Sequence, residues 1–185
     1  VIDQTIKLDN NSLINFSIDD SLNIKKLTIR SHLNLDDLNI DYNFLYDKRN
    51  RSFRPSQGYY SNFSQTLPVI SNNYSLYNSF DFKKYHKLTE NMVGSISYHL
   101  SAINSLDNSD VRVSERINLS SRKLRGFKKG KIGPKDNNDF IGGNYASALK
   151  LNSTLPNILF ENENVDFNLF FDFANVWEVD YNLSL

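Results

Sequence analysis

The feature that most restricts the fold is a two-residue alternation carried largely by aromatic side chains. In "NIDYNFLYD" (39–47), Ile40, Tyr42, Phe44 and Tyr46 share one face of an extended chain. Asn39, Asp41, Asn43 and Asp47 share the other, with Leu45 the exception. In "VDFNLFFDFANVW" (165–177), Val165, Phe167, Leu169, Phe171 and Phe173 alternate with Asp166, Asn168, Phe170, Asp172 and Ala174. A helix would spread these residues around its circumference, whereas a strand gathers them into one greasy face and one wet face.

Weaker alternations of the same kind run through "YYSNFSQTLP", "YSLYNSFDFKKY", "MVGSISYHL" and "NYASALKLNSTLP". Each is about ten residues long, the length a tilted strand needs to cross a bilayer. Turn signals separate them at "RPSQG" (54–58), "PVISNN" (68–73), "KLTEN" (87–91) and "PNILFENEN" (156–164). The pattern predicts an all-β antiparallel meander of about seven strands joined by hairpins. At its start, "SLINFSIDDSLNIKKLTI" (12–29) reads as one strand or two. "SHLNLDDL" (31–38), with leucines at mixed spacing, reads as a helical turn inside a loop.

Composition agrees with this reading. The chain has 13 Phe, 10 Tyr and many Asn but only seven Gly, a balance that favours strands and turns. With no cysteine there is neither a disulfide framework nor a thiolate metal site. No apolar run approaches the roughly 20 residues of a membrane-spanning helix. A β-barrel stays open, because alternating strands keep the mean hydropathy low, here −0.49. The chain starts at Val1, with neither an initiator Met nor a signal peptide, and reads as a fragment or processed segment.

One stretch, residues 101–143, has no period and carries nine cations between Arg112 and Lys135. Loops this long are uncommon unless functional or disordered. The balance then reverses, with Asp136, Asp139, Glu161, Glu163, Asp166, Asp172, Glu178 and Asp180 against Lys150 alone, so loop and strands could neutralise each other. A nucleic-acid reading is weakened by the zero net charge. A phosphate-loop reading fails on spacing: in "GFKKGK" three residues separate Gly126 from Gly130 where four are needed, and Ile132 stands where Ser or Thr would bind magnesium. His32, His86 and His99 lie in different elements with no metal-ligand spacing. No catalytic motif is present, and neither metal nor cofactor is expected. Asp172 stands out, because a carboxylate between phenylalanines is costly when unpaired. It is either a hydrated lumen residue or the partner of an arginine from the long loop.

At these positions the chain resembles a known family. "LRGF" (124–127), "GPKD" (133–136), "GGN" (142–144) and "FFDFANVW" (170–177) are similar, in order, to the motif series of the BamA-like outer-membrane protein assembly barrels. "YNFLYDKRNRSFRPSQGYYSNFSQTLP" (42–68) resembles that family's D-x-R…P-x-x-G hairpin, and "RVSERINLSSRKLRGF" (112–127) its approach to the loop motif. The likeness covers about residues 38–180, and residues 1–37 match loosely. It implies a transmembrane barrel in which this chain, residues 1–185, supplies roughly the seventh to the thirteenth of sixteen strands. The family's sixth loop, here 101–143, would fold back into the lumen. The periplasmic POTRA domains, the first strands and the last three strands would lie outside the segment. An open sheet of this kind would leave two edges unpaired in lipid, so it is not expected to act alone.

Carried over residue by residue, the resemblance implies a loop-to-wall salt bridge from Arg125 to Asp172. Leu124, Gly126, Phe127, Gly133, Pro134, Gly142, Gly143 and Asn144 complete the loop motifs, with Phe170 and Asn152 on the inner wall. Leu124 replaces the usual Val, Ala174 the usual Gly, and "NLSSRK" lacks the paired glycines that often precede the motif. Asn152 stands where a glutamate can occur, which implies a hydrogen bond to Arg125 instead of a second ion pair. The implied function is folding and insertion of β-barrel proteins into the bacterial outer membrane, without covalent chemistry. The implied partners are unfolded β-barrel clients, outer-membrane lipid and, through regions outside this segment, lipoproteins, with no nucleic acid. The alternatives are a TamA-like or two-partner-secretion translocator and a plain outer-membrane channel.

Overall fold

The computed structural model describes residues 13–20, 23–33, 38–72, 74–155 and 167–180, the first two stretches as backbone. Eight of its strands form one antiparallel sheet in sequence order. They are β1 (Leu13–Asp20), β2 (Asn23–Leu33), β3 (Leu38–Asp47), β4 (Gly58–Ile70), β5 (Ser75–Thr89), β6 (Met92–Ser105), β9 (Tyr145–Leu155) and β10 (Phe167–Trp177). Two short strands, β7 (Lys135–Asp136) and β8 (Asp139–Phe140), pair with each other inside the segment between β6 and β9.

The architecture is the expected all-β meander, with differences at its start and in its loop. The stretch 12–29 makes two strands, because Asp20 and Asn23 pair across a hairpin. Of the stretch 31–38, Ser31–Leu33 continue β2 and Leu38 opens β3, and the expected helical turn is left to residues 34–37, which lie outside the described residues. Strand β6 runs to Ser105, so the long loop starts later than the loss of alternation suggested. The turn signal at 156–164 lies outside the described residues.

Cross-strand register carries each face across the sheet. Phe44, Phe63, Phe80 and Leu100 line up through β3–β6, and Phe82, Tyr98, Leu149 and Phe173 through β5–β10. These outer residues stay uncovered: Phe44 is 51% exposed, Phe171 54% and Phe173 53%. On the other face Asn62, Asp81, His99 and Ala148 form one row and Lys83, Ser97, Lys150 and Asp172 the next. The alternation thus separates an apolar outside from a polar inside.

The buried core lies on the inner face, between sheet and loop. Val111, Ile117 and Leu119 of the loop pack with Ile103, Ala146 and Val176 of β6, β9 and β10. Ala146 and Ala148 leave room for the loop to approach β9, and both are buried. At the opposite end, the β3–β4 connection is fixed by Arg49, whose guanidinium grips the Asp47 carboxylate at 2.5–3.0 Å and lies over the Tyr60 ring.

Candidate functional site

Charged contacts hold the loop where it crosses the polar face. The first is built by Arg125. Its Nη2 and Nε donate to the two oxygens of Asp172 at 2.5 and 2.7 Å, and its backbone N–H donates to Asp172 Oδ2 at 3.1 Å. Nη1 donates to Asn152 Oδ1 at 3.3 Å, and the guanidinium carbon sits 3.8 Å from the centre of the Phe170 ring. A planar cation is thereby fixed along one edge by a carboxylate and on one face by an aromatic ring, a combination that lysine cannot reproduce. The Asp172 side chain is only 4% exposed, so the pair is shielded on its anionic side.

Strand register brings the wall residues together. Phe170 pairs with Asn152 and Asp172 with Lys150 in the β9–β10 ladder, so Asn152, Phe170 and Asp172 share the inner face. Asp172 lies five residues before Trp177, where β10 ends. At ~3.3 Å per residue the contact sits roughly 17 Å along the strand from that rim. The loop therefore reaches well along the polar face.

The remaining motif residues shape the loop. Leu124 is buried at 6% exposure beside Arg125, whereas Phe127 is 54% exposed. Gly126 has φ +84 with open space around it, so the backbone turn, not crowding, calls for glycine. Gly143 is required by close approach, since a Cβ there would lie 2.5 Å from the Trp177 carbonyl oxygen. Gly133 lies against Val176 and Gly142 against Asn118 and the Ile117 carbonyl, while the Pro134 carbonyl accepts from Ile141 N–H. Asn144 donates to Asp180 Oδ1 at 2.8 Å, and Val111 N–H donates to Asp180 Oδ2 at 2.9 Å. The "GPKD" and "GGN" stretches thus tie the loop base to the end of β10, apart from the Arg125 contact.

The second contact was missed in the sequence. The Lys123 ammonium meets Asp81 Oδ1 on β5 and lies 3.0 Å from His99 Nδ1 on β6. Asp81 and His99 are direct cross-strand partners, 3.0 Å apart. The signal was present: both are nearly equidistant from the "TEN" turn that closes the hairpin. On β9, the Lys150 ammonium donates to the Arg122 carbonyl at 2.6 Å.

Comparison with known proteins places this geometry in a family. The Omp85 superfamily domain matches residues 4–184. Among solved structures, BamA from Haemophilus ducreyi lacking POTRA domains 1–3 has the same fold, with a TM-score of 0.69 at 21% identity. The alignment covers 91% of this chain and 41% of that one, so this chain spans well under half of the BamA structure. A comparison with curated proteins gave no match. A barrel-type meander with a loop folded onto its polar face, matched from residue 4 to residue 184, establishes that the chain belongs to the Omp85 superfamily.

Proposed function

We propose that this chain is wall and sixth loop of a BamA-like assembly factor that folds and inserts β-barrel proteins into the bacterial outer membrane. Membership of the Omp85 superfamily supports the broader reading, a membrane barrel that inserts or translocates proteins. The observation that carries the finer one is the Arg125–Asp172 contact, through which the loop occupies the polar face. A plain channel would keep that face open for solutes, whereas a loop pinned there by a bidentate ion pair is a positioned part.

The mechanism in this reading is noncovalent. A client strand adds at a weak seam elsewhere in the barrel by backbone hydrogen bonding, and the barrel thins the adjacent lipid. Residues 1–185 form the wall away from that seam, with the POTRA domains and remaining strands supplied by the rest of the protein. Arg125, Asp172, Asn152 and Phe170 hold the loop in register. Clients and lipid are the direct partners, and lipoproteins bind through the other regions.

The test uses the full-length parent protein in liposomes with an unfolded outer-membrane barrel as client. Appearance of the heat-modifiable folded client in the parent, with marked loss in Arg125→Ala, is expected. Export of a passenger with no client folding would instead indicate a translocator of the TamA-like or two-partner-secretion kind. Unchanged folding in Arg125→Ala, with an unchanged loop position, would remove the role assigned to the contact.

A further inference from the structure

We infer that Lys123 is a second positioning residue of the loop, clamping the β5–β6 hairpin through Asp81 and His99 while Arg125 clamps β9–β10. The inference rests on the reading of the loop as a positioned part. The Arg125 ion pair fixes the loop against β9 and β10, and the Lys150–Arg122 hydrogen bond again reaches only β9, so neither ties the loop to β5. Asp81 and Asp172 are separated by three strand spacings, about 14 Å across the sheet. Two anchors that far apart set the direction of residues 123–125 over the inner wall.

Charge makes the Lys123 seat specific. The cavity beside it, about 380 Å³, is lined by Lys83, Arg122, Lys123 and Lys150, with Asp81 the one carboxylate among the described lining residues. A cation from the loop therefore has a single anionic place to go on this part of the wall. The Lys123 side chain is 30% exposed and that of Asp81 33%, so water weakens the pair without replacing it.

His99 adds a chemical condition. Its Nδ1 faces an ammonium, which can only donate, and a carboxylate, which can only accept. A neutral ring with a bare Nδ1 accepts from Lys123. Lys123 thereby bridges two direct cross-strand partners, Asp81 on β5 and His99 on β6.

Loop seating can be read in the full-length parent protein in liposomes through a cysteine at Leu124, a buried position, and a membrane-impermeant maleimide. Lys123→Met should raise the labelling rate about tenfold, the scale of one lost charge-assisted hydrogen bond. Lys123→Arg should restore slow labelling, and so should the exchange Lys123→Asp with Asp81→Lys, although each single change labels fast. Asp81→Asn reads the same contact from the wall should Lys123→Met fail to fold, as judged by heat-modifiability. Parental labelling in Lys123→Met, or in Asp81→Asn where it stands in, overturns the Lys123 role. If Arg125→Ala still labels fast, the reading of the loop as a positioned part survives that loss. Slow labelling in Arg125→Ala as well would overturn both.

Discussion

Arg125 and Asp172 are unequal partners. Asp172 is nearly enclosed, whereas the Arg125 side chain is 30% exposed. Removing the arginine strands a desolvated carboxylate, a loss that can reach about 3–5 kcal/mol in buried pairs and is smaller where water can enter. Adding Asp172→Asn removes the stranded charge. We therefore expect Arg125→Ala to lower the unfolding midpoint of the parent barrel more than Arg125→Ala with Asp172→Asn does. Denaturant titration in lipid vesicles gives the comparison, and equal midpoints would contradict it. Loop position should be lost in both, because neither keeps the bidentate contact. Outside the strands, Asp107 offers a second carboxylate. The hydroxyls of Ser105 and Ser109 and the Ser109 N–H hold its pKa down to about 2. A depressed carboxyl favours the folded turn above the unfolded value of about 3.9, and that preference is lost as pH falls through about 2. Carboxyl chemical shifts should therefore show Asp107 ionised at pH 3, and a midpoint near 4 would contradict the network.

At the scale of elements, the strands were legible because one physical fact, the alternation of side chains across a pleat, repeats along each of them. The loop was legible only in part. Its basic run and its "LRGF" stretch pointed to an inward contact, but the partner of Lys123 is set by the register of β5 with β6, which an alternation does not supply. The β7–β8 hairpin was also hidden in a stretch that has no period. Its turn is "DNND", where Asn137 and Asn138 have φ of 46° and 71°, the left-handed pair that closes a two-residue hairpin. At Ser31–Leu33 the mixed leucine spacing hid the end of β2, which runs three residues further than the alternation suggested. The loop base yields a prediction of its own. A methyl at Gly143 would strike the Trp177 carbonyl and Val176, so Gly143→Ala must part the loop base from β10. Overpacking of this kind costs about 1–3 kcal/mol. Faster amide exchange at Asn144, whose N–H donates to the Glu178 carbonyl, would report it, and unchanged exchange would refute it.

At the scale of the whole molecule, the sheet is turned inside out relative to a water-soluble β-protein. Its packed core lies between loop and wall, and its aromatic face is left uncovered. Exposed apolar rows that run from strand to strand need a partner, and a bilayer supplies one without specific contacts. Neighbouring residues on β4 separate this view from a soluble alternative. Phe63 faces outward near the middle of the strand, and Asn62 faces inward opposite Asp81. In lipid, a charge at the outward position meets hydrocarbon, whereas a charge at the inward one lies on the polar face opposite a carboxylate. Phe63→Lys in the full-length parent should cost about 2–4 kcal/mol in lipid vesicles, the range for a cation at the midplane. Asn62→Lys should cost less, since its charge stays on the polar face, where it competes with Lys123 for Asp81. In water the difference would vanish, because a lysine replacing an exposed phenylalanine is well hydrated. Equal or inverted costs in vesicles would therefore place the aromatic face against something other than lipid.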